Sequence, residues 1–282
     1  MIEGRPSMTA QRVAMRRAAH QLIDNPRVFE DPLAVRILGP EIAAGLTAEP
    51  ENELERRLRA FMVARSRYAE EQLAAAVSRG IKQYVVLGAG LDTYAYRNPY
   101  PHVLVFEIDY PATQGWKRQR LEAGSIPIPP SLRFAPVDFD KQTVEQGLAG
   151  AGFAAAEPAF FSWLGVTPYL TPETVFSTLR LILAMNASNG VVFDYAVPRS
   201  SLNVFEQAAL DAILKRVAAA GEPFRGFFAP DELARELQAM GYAAIEDLDG
   251  EEINRRYFAN RTDGLVVGRT AHLLCALGAQ GK

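Results

Sequence analysis

From Lys82 onward, short apolar runs alternate with stretches of helical periodicity, and this alternation constrains the fold more than any other feature. The apolar runs are predicted as strands at residues 84–87, 103–107, 133–137, 159–164, 191–197, 243–248 and 265–274. Helical stretches fall between them at 112–123, 142–148, 172–184 and 230–240. Such alternation predicts an α/β fold in which helices cover both faces of a parallel sheet.

The whole chain from residue 8 to residue 282 is predicted to form a single domain. Residues 8–80 are predicted as a helical cover, because they show helical spacing throughout. Residues 81–200 would form the ligand-binding core, 201–229 an inserted helical lid, and 230–282 the last part of the sheet. Residues 1–7 are set apart, since Ile2-Glu3-Gly4-Arg5 is typical of a protease-cleavage linker left from recombinant expression.

The composition argues against several classes of function. The 30 Lys and Arg against 33 Asp and Glu give a net charge of −3, which disfavours nucleic acid and anionic membranes as partners. A single cysteine rules out an internal disulfide, and three widely spaced histidines predict no metal site. No run of 18 apolar residues occurs, so we expect neither a membrane span nor a secretory signal, and a cytoplasmic location.

The first predicted strand runs directly into Gly88-Ala89-Gly90. Glycines at the carboxyl end of a strand permit a tight turn and let a ligand approach the backbone amides, and nucleotides bind at this edge of open α/β sheets. The dinucleotide fingerprint has a third glycine where this chain has Thr93. The turn therefore indicates a nucleotide-like ligand and disfavours hydride transfer, while an ordinary strand-to-helix turn stays an alternative.

Acidic side chains follow the next two predicted strands. Glu107 and Asp109 come about 20 residues after the glycines, where a carboxylate commonly binds ribose hydroxyls. Both share one face of an extended strand and could reach the ligand, unless one of them caps the helix that follows. Asp138 ends the third strand and would either bind an adenine amino group or cap the next helix.

Arg65 stands out because its neighbours predict that it is buried. A helix over residues 51–79 places Arg65 on the same stripe as Phe61 and Tyr68, which should face the core. A buried cation requires an anion, since an unpaired desolvated charge is strongly unfavourable. The anion is either the carboxylate of a ligand or a protein acid such as Asp92, or else the guanidinium extends to the surface.

Several segments of the chain resemble one protein family. They are TAQRVAMRRA (9–18), VFEDPLA (28–34), Ala64-Arg65, VVLGAGLDTYAYR (85–97), FEIDYP (106–111) followed by Lys117, and LGVTPYLTPE (164–173). In this combination they are similar to the leucine carboxyl methyltransferase-like group of S-adenosylmethionine (SAM)-dependent O-methyltransferases, which includes bacterial enzymes of polyketide and other secondary metabolism. The resemblance implies a class I, Rossmann-like methyltransferase fold, with a seven-stranded sheet whose last strand is antiparallel and an N-terminal helical cover.

The resemblance also implies SAM as the cofactor and a set of residues that hold it. These are Arg17 and Arg65 at the methionine carboxylate, Gly88 and Gly90 beneath it, Asp109 with Glu107 at the ribose, Asp138 with Phe139 at the adenine, and Leu164 with Gly165 on the floor. Many relatives carry a glutamate where this chain has Leu164. That difference favours an acceptor unlike that of the protein-modifying members.

The activity implied is O-methylation of a small molecule, at a carboxyl or hydroxyl group of a secondary metabolite. A carboxylate is already ionised at pH 7 and needs no general base, which agrees with the lack of an obvious base in these motifs. Candidates to position the acceptor are Tyr96, Arg97, Trp163, Tyr169 and Arg225, each with an alternative as a core aromatic or a solvated charge. A non-catalytic SAM-binding protein and a nicotinamide dehydrogenase stay open as alternatives.

Overall fold

The computed structural model describes residues 8–46, 52–138 and 141–279, so residues 1–7 and Phe139 lie outside the described residues. Its strands are β1 (Gln83–Leu87), β2 (Leu104–Asp109), β3 (Leu132–Pro136), β4 (Ala159–Trp163), β5 (Gly190–Ala196), β6 (Ala244–Leu248) and β7 (Ala271–Leu277). They form one seven-stranded sheet in the order β3-β2-β1-β4-β5-β7-β6. Only β7 runs antiparallel to its neighbours, β5 and β6. The predicted fold, including its antiparallel last strand, is confirmed.

The helices of the described residues surround this sheet. They are α1 (Met8–Ile23), α2 (Ala34–Leu38), α3 (Pro40–Gly45), α4 (Glu53–Ser78), α5 (Pro111–Ala123), α6 (Val144–Gly150), α7 (Pro172–Met185), α8 (Val204–Ala219), α9 (Pro230–Met240) and α10 (Gly250–Tyr257). Within the described ranges, no helix combines the length and apolarity that crossing a membrane requires.

Side-chain caps fix where two of these helices begin, and a glycine fixes where a third ends. The Asn52 side chain accepts a hydrogen bond from the Glu55 amide at the start of α4, and Thr171 caps α7 in the same way before Pro172. Gly241 ends α9 in a left-handed conformation with φ 106°. Local sequence signals therefore set the limits of α4, α7 and α9.

The sheet is buried on both faces, as its continuous apolar runs predict. Every residue of β1, β4 and β5 is buried. One face packs against α4 and α10, for example through Leu73 and Ile253, and the other packs against α7 and α9 through Leu179 and Leu237. A separate apolar cluster joins α1 and α2 to α5, so the helical cover has its own small core.

Near the carboxyl end of the chain, one predicted strand has the wrong limits and one helix was not predicted. The strand predicted at 265–274 forms only from Ala271, because Leu265 and Val267 are buried in the core outside the sheet and the Asn254 side chain bonds the Val267 backbone. Helix α10 was not predicted, although Asp249 caps it by accepting from the Glu252 amide. The apolar run at 265–270 therefore has the sequence pattern of a strand, but it packs against α10 and does not pair with the sheet.

The inserted segment lies across the carboxyl edge of the central strands. Helix α8 starts with a capping box between Asn203 and Glu206. The loop after it is attached to the core, since the Arg225 amide donates to the Pro168 carbonyl and the Phe228 amide donates to that of Ala196. This placement beside the strand ends is what a lid would need.

Candidate functional site

The glycine turn after β1 is shaped by its neighbours. Gly88 and Gly90 have φ values of 68° and 44°, a region that favours glycine. The Gly88 amide donates to the Ile108 carbonyl at 2.8 Å, which ties the turn to β2. A Cβ on Gly88 would lie 2.5 Å from Val166 Cγ2, and one on Gly90 would lie 3.0 Å from Ala10 Cβ. Both positions therefore require glycine, and both contact other parts of the chain.

Asp109 faces this turn from the end of β2. Its carboxylate is buried and accepts hydrogen bonds from the Gly90 amide at 2.6 Å and the Tyr110 amide at 2.7 Å. Burial raises the pKa of Asp109, and these two amide donors and Lys117 oppose that shift. The structure thus brings Asp109 and the glycine turn together, as the strand-end pattern predicts.

Glu107 lies deeper and is engaged by other side chains. It is fully buried, with Oε2 2.8 Å from Lys117 Nζ and 3.3 Å from the Tyr96 hydroxyl that donates to it. Burial raises the pKa of Glu107 to about 7, against the opposing charge of Lys117. Its other oxygen has no hydrogen-bond partner among the described residues. The Glu107–Lys117 pair therefore supports β2 from the interior.

Asp138 follows β3, where the adenine contact was predicted. Its carboxylate pairs with the largely exposed Lys141 at 2.7 Å. The next helix, α6, is capped by Thr143 and Gln146, so Asp138 is not its N-cap. The role of Asp138 at an adenine stays a prediction.

Arg65 is buried, as its helical stripe predicts, and its anion is Asp194 in the middle of β5. The distance from Arg65 Nη1 to Asp194 Oδ2 is 3.0 Å, and the Gly165 amide donates to the other oxygen of Asp194. A Cβ on Gly165 would lie 2.8 Å from both terminal nitrogens of Arg65. The predicted alternative partner, Asp92, does not pair with Arg65. Asp194 is a site residue that the sequence interpretation missed.

Arg17 connects the helical cover to the glycine turn. It is buried on α1 and donates to the Leu91 carbonyl at 2.7 Å, with Asp31 at 3.3 Å and Asp92 at 4.0 Å. The Thr93 hydroxyl donates to Asp31 at 2.7 Å, so the residue in place of a third glycine also anchors the cover. Arg17 and Arg65 therefore reach the strand ends from two different helices, α1 and α4.

A cavity of about 310 Å³ lies beside this site, between α1, α4 and α8. Arg65, Gly165 and Asp194 form part of its lining, together with Tyr169, whose ring packs edge-on against Phe224 at 5.0 Å. Burial raises the pKa of Tyr169, so its hydroxyl stays protonated at neutral pH. The cavity thus adjoins the predicted cofactor residues through Arg65 and Gly165.

Of the five predicted acceptor residues, only Tyr169 lines this cavity. Trp163, the last residue of β4, is buried in the core, and the Tyr96 hydroxyl donates to Glu107. Arg97 pairs with Glu70 and Asp31 and stacks on Phe29, and Arg225 is exposed. Leu164 packs against the core, whereas its neighbour Gly165 reaches the cavity. Trp163 and Tyr96 are thus core aromatics and Arg225 is an exposed charge, whereas Arg97 is a largely buried, ion-paired residue and not the solvated charge that was its alternative.

Two solved structures share this architecture. A protein from Thermobifida fusca YX, classed by inference as a methyltransferase, matches with a TM-score of 0.59 at 13% identity, over 99% of this chain and 97% of its own. A DUF574-family protein from Streptomyces avermitilis matches with a TM-score of 0.57 at 12% identity, over 94% and 97%. These likenesses concern the fold, which is that of the class I methyltransferases.

Sequence comparison then identifies the family. The leucine carboxyl methyltransferase family model matches residues 10–183. YktD of Bacillus subtilis, classed by inference as a SAM-dependent methyltransferase, is 32% identical over 303 aligned residues, covering 98% of this chain and 99% of YktD. A Mycobacterium avium protein of the same assignment is 30% identical, covering 86% and 74%. The chain belongs to the leucine carboxyl methyltransferase family of SAM-dependent methyltransferases, which confirms the resemblance.

Proposed function

We propose that this protein transfers a methyl group from SAM to a carboxyl or hydroxyl oxygen of a small secondary metabolite bound in the cavity between α1, α4 and α8. The proposal rests on one observation: the predicted cofactor site and the cavity have residues in common. Arg65 and Gly165, which the family pattern assigns to the cofactor, also line the cavity. A donor held at the strand ends would therefore meet an acceptor in the cavity, and the cytoplasm stays the predicted location.

The residues at the strand ends fit SAM by their chemistry. Asp109 offers a buried carboxylate to ribose hydroxyls, and the positive φ values of Gly88 and Gly90 turn the backbone tightly at the edge of the sheet where nucleotide-like ligands bind. Arg17 and Arg65 bring guanidinium groups to this edge from α1 and α4, where a methionine carboxylate would pair with them in addition to Asp31 and Asp194. When bound, SAM supplies an electrophilic methyl group on a sulfonium.

The chain itself would contribute position and the exclusion of water. The cavity lining contains no histidine or cysteine among the described residues, and the protonated Tyr169 hydroxyl is a hydrogen-bond donor at neutral pH. An ionised carboxylate attacks without a base, whereas a phenol needs its proton removed. This lining favours a carboxyl acceptor over a hydroxyl acceptor.

Two measurements test the proposed function. Calorimetry should detect binding of SAM and none of NAD, because Thr93 replaces the third glycine of the dinucleotide pattern. Methyl-labelled SAM is then offered with a panel of carboxylic acids and phenols, and labelled product is expected among the acids. Binding of NAD in preference to SAM would contradict the proposal, and tight SAM binding without any product would favour a non-catalytic protein.

Removing the Asp109 carboxylate should weaken the cofactor site. We expect Asp109→Ala to reduce SAM affinity by about 1–3 kcal/mol, the range for losing a hydrogen bond to a charged group. Calorimetry measures the affinity, and thermal unfolding checks that the turn survives the loss of the bond from Gly90. The matched control is Asp211→Ala, an exposed carboxylate paired with Arg199 on the surface. Equal SAM affinity in both variants would remove Asp109 from the site.

A further inference from the structure

We infer that the cavity takes an amphipathic anion, an apolar molecule that carries a carboxylate, and that Arg12 recognises its charge. This inference rests on the proposed function, since it names the acceptor class of the same cavity. It depends on which walls are apolar and on how the charges along them are balanced.

The walls of the cavity are largely apolar. Side chains from three helices contribute, among them Val13 on α1, Leu58 and Phe61 on α4, Ile213 on α8 and Phe224 after it. A volume of about 310 Å³ lies in the range typical of small-molecule sites, which combine apolar walls with a few polar anchors. Such walls would bury a hydrocarbon or aromatic body.

Positive charge on the cavity wall exceeds negative charge. Six arginines line it against two acids, Asp194 and Glu206. Three of the six have acids of their own: Arg57 pairs with Glu53, Arg65 with Asp194, and Arg269 with Glu206 and Glu251. The remaining three, which we call the arginine cluster, are Arg12, Arg16 and Arg216.

This arginine cluster, Arg12, Arg16 and Arg216, has one carboxylate between its three members. Glu55 pairs with Arg16 at 2.8 Å and also with Arg216. Arg12 has no ion pair or hydrogen bond with any part of the chain that the structure describes, although it lines the cavity and is half-buried. Two positive charges are therefore left over on one wall of an apolar space.

The environment of Arg16 shows that Glu55 alone does not balance the positive charge of this wall. Burial lowers the pKa of Arg16, and the nearby charges of Arg216 and Arg12 lower it further, while Glu55 opposes the shift. Its Nε is buried without a hydrogen-bond partner among the described residues. A ligand carboxylate beside Arg12 and Arg16 would relieve this repulsion and satisfy free donors. A neutral ligand would do neither.

A pair of fluorescent probes separates charge from apolar contact. cis-Parinaric acid is an apolar carboxylate, and its methyl ester has the same hydrocarbon body without the charge. Each is titrated into the full chain and into Arg12→Gln, without SAM. We expect Arg12→Gln to weaken binding of the acid by at least about tenfold, which corresponds to about 1.4 kcal/mol, and to change binding of the ester less than about twofold. The control is Arg199→Gln, an exposed arginine that pairs with Asp211 and is not part of the cavity lining, and it should change neither.

The outcomes distinguish this inference from the proposed function. Unchanged affinity of Arg12→Gln for the acid, or an equal loss for acid and ester, would overturn the recognition of charge by Arg12. SAM binding is measured by calorimetry on the same samples. A chain that discriminates the two probes through Arg12 but binds no SAM would keep the anion site and refute the methyltransferase proposal.

Discussion

At pH 8, Lys117→Met is expected to lower the free energy of unfolding by about 3–5 kcal/mol, because it leaves the ionised Glu107 without a counterion in the interior. Both side chains are almost completely buried, and Lys117 Nζ lies 2.8 Å from Glu107. Urea denaturation followed by circular dichroism measures the loss. Lys82→Met is the matched control, since Lys82 is exposed beside β1 and should change stability by less than about 0.5 kcal/mol.

The pH dependence identifies the cause of that loss. Burial raises the pKa of Glu107 in the folded chain to about 7, above its ordinary value of 4.5, so folding takes up a proton between these values. The contribution of Glu107 to stability therefore falls as the pH rises from about 4.5 to 7. Without Lys117 the ionised carboxylate has no counterion, so the deficit of Lys117→Met should be larger at pH 8 than at pH 5.5. An equal deficit at both pH values would attribute the loss to packing alone.

Arg65→Met is expected to produce two separate losses. The unfolding free energy should fall by about 3–5 kcal/mol, since the buried Asp194 loses its counterion. In the molecules that stay folded, SAM affinity should fall by about 1–3 kcal/mol, because a charged partner of the ligand is gone. Denaturation measures the first loss, and calorimetry under conditions in which the variant is folded measures the second.

A double variant separates structure from binding at Arg65. Adding Asp194→Asn removes the uncompensated charge, so Arg65→Met/Asp194→Asn should recover part of the lost stability without recovering SAM affinity. Arg57→Met, on the same helix but half exposed and paired with the exposed Glu53, should cost less than about 1 kcal/mol. Recovery of SAM affinity in the double variant would mean that Arg65 supports the fold and does not contact the cofactor.

The site residues that the sequence predicted are those whose own neighbours in the chain reveal their position, at the end of a strand or on the buried stripe of a helix. Gly88, Gly90 and Asp109 follow buried strands, and the geometry of a parallel sheet brings strand ends to one edge. The burial of Arg65 followed from its apolar helical stripe. Its partner Asp194 was missed, since the two residues are 129 positions apart. A lone acid inside the apolar run of β5 was the complementary signal, because two isolated opposite charges in buried patterns indicate a pair.

The cavity was beyond prediction for a different reason. Its walls belong to α1, α4 and α8, and their mutual packing depends on long-range contacts such as those of Glu55 with Arg16 and Arg216. No spacing along the chain relates these helices. For the same reason, Tyr96 and Trp163 were candidates by motif position, although the structure directs Tyr96 toward Glu107 and buries Trp163 in the core.

The first turns of α1 contact both the predicted cofactor site and the cavity. Ala10 lies against the glycine turn, Arg12 and Val13 line the cavity, and Thr9 bonds Glu222 in the inserted segment. A displacement of this helix end that admits one substrate would therefore alter the space open to the other. Donor and acceptor would not bind independently, and initial-rate kinetics would show that each changes the apparent KM of the other.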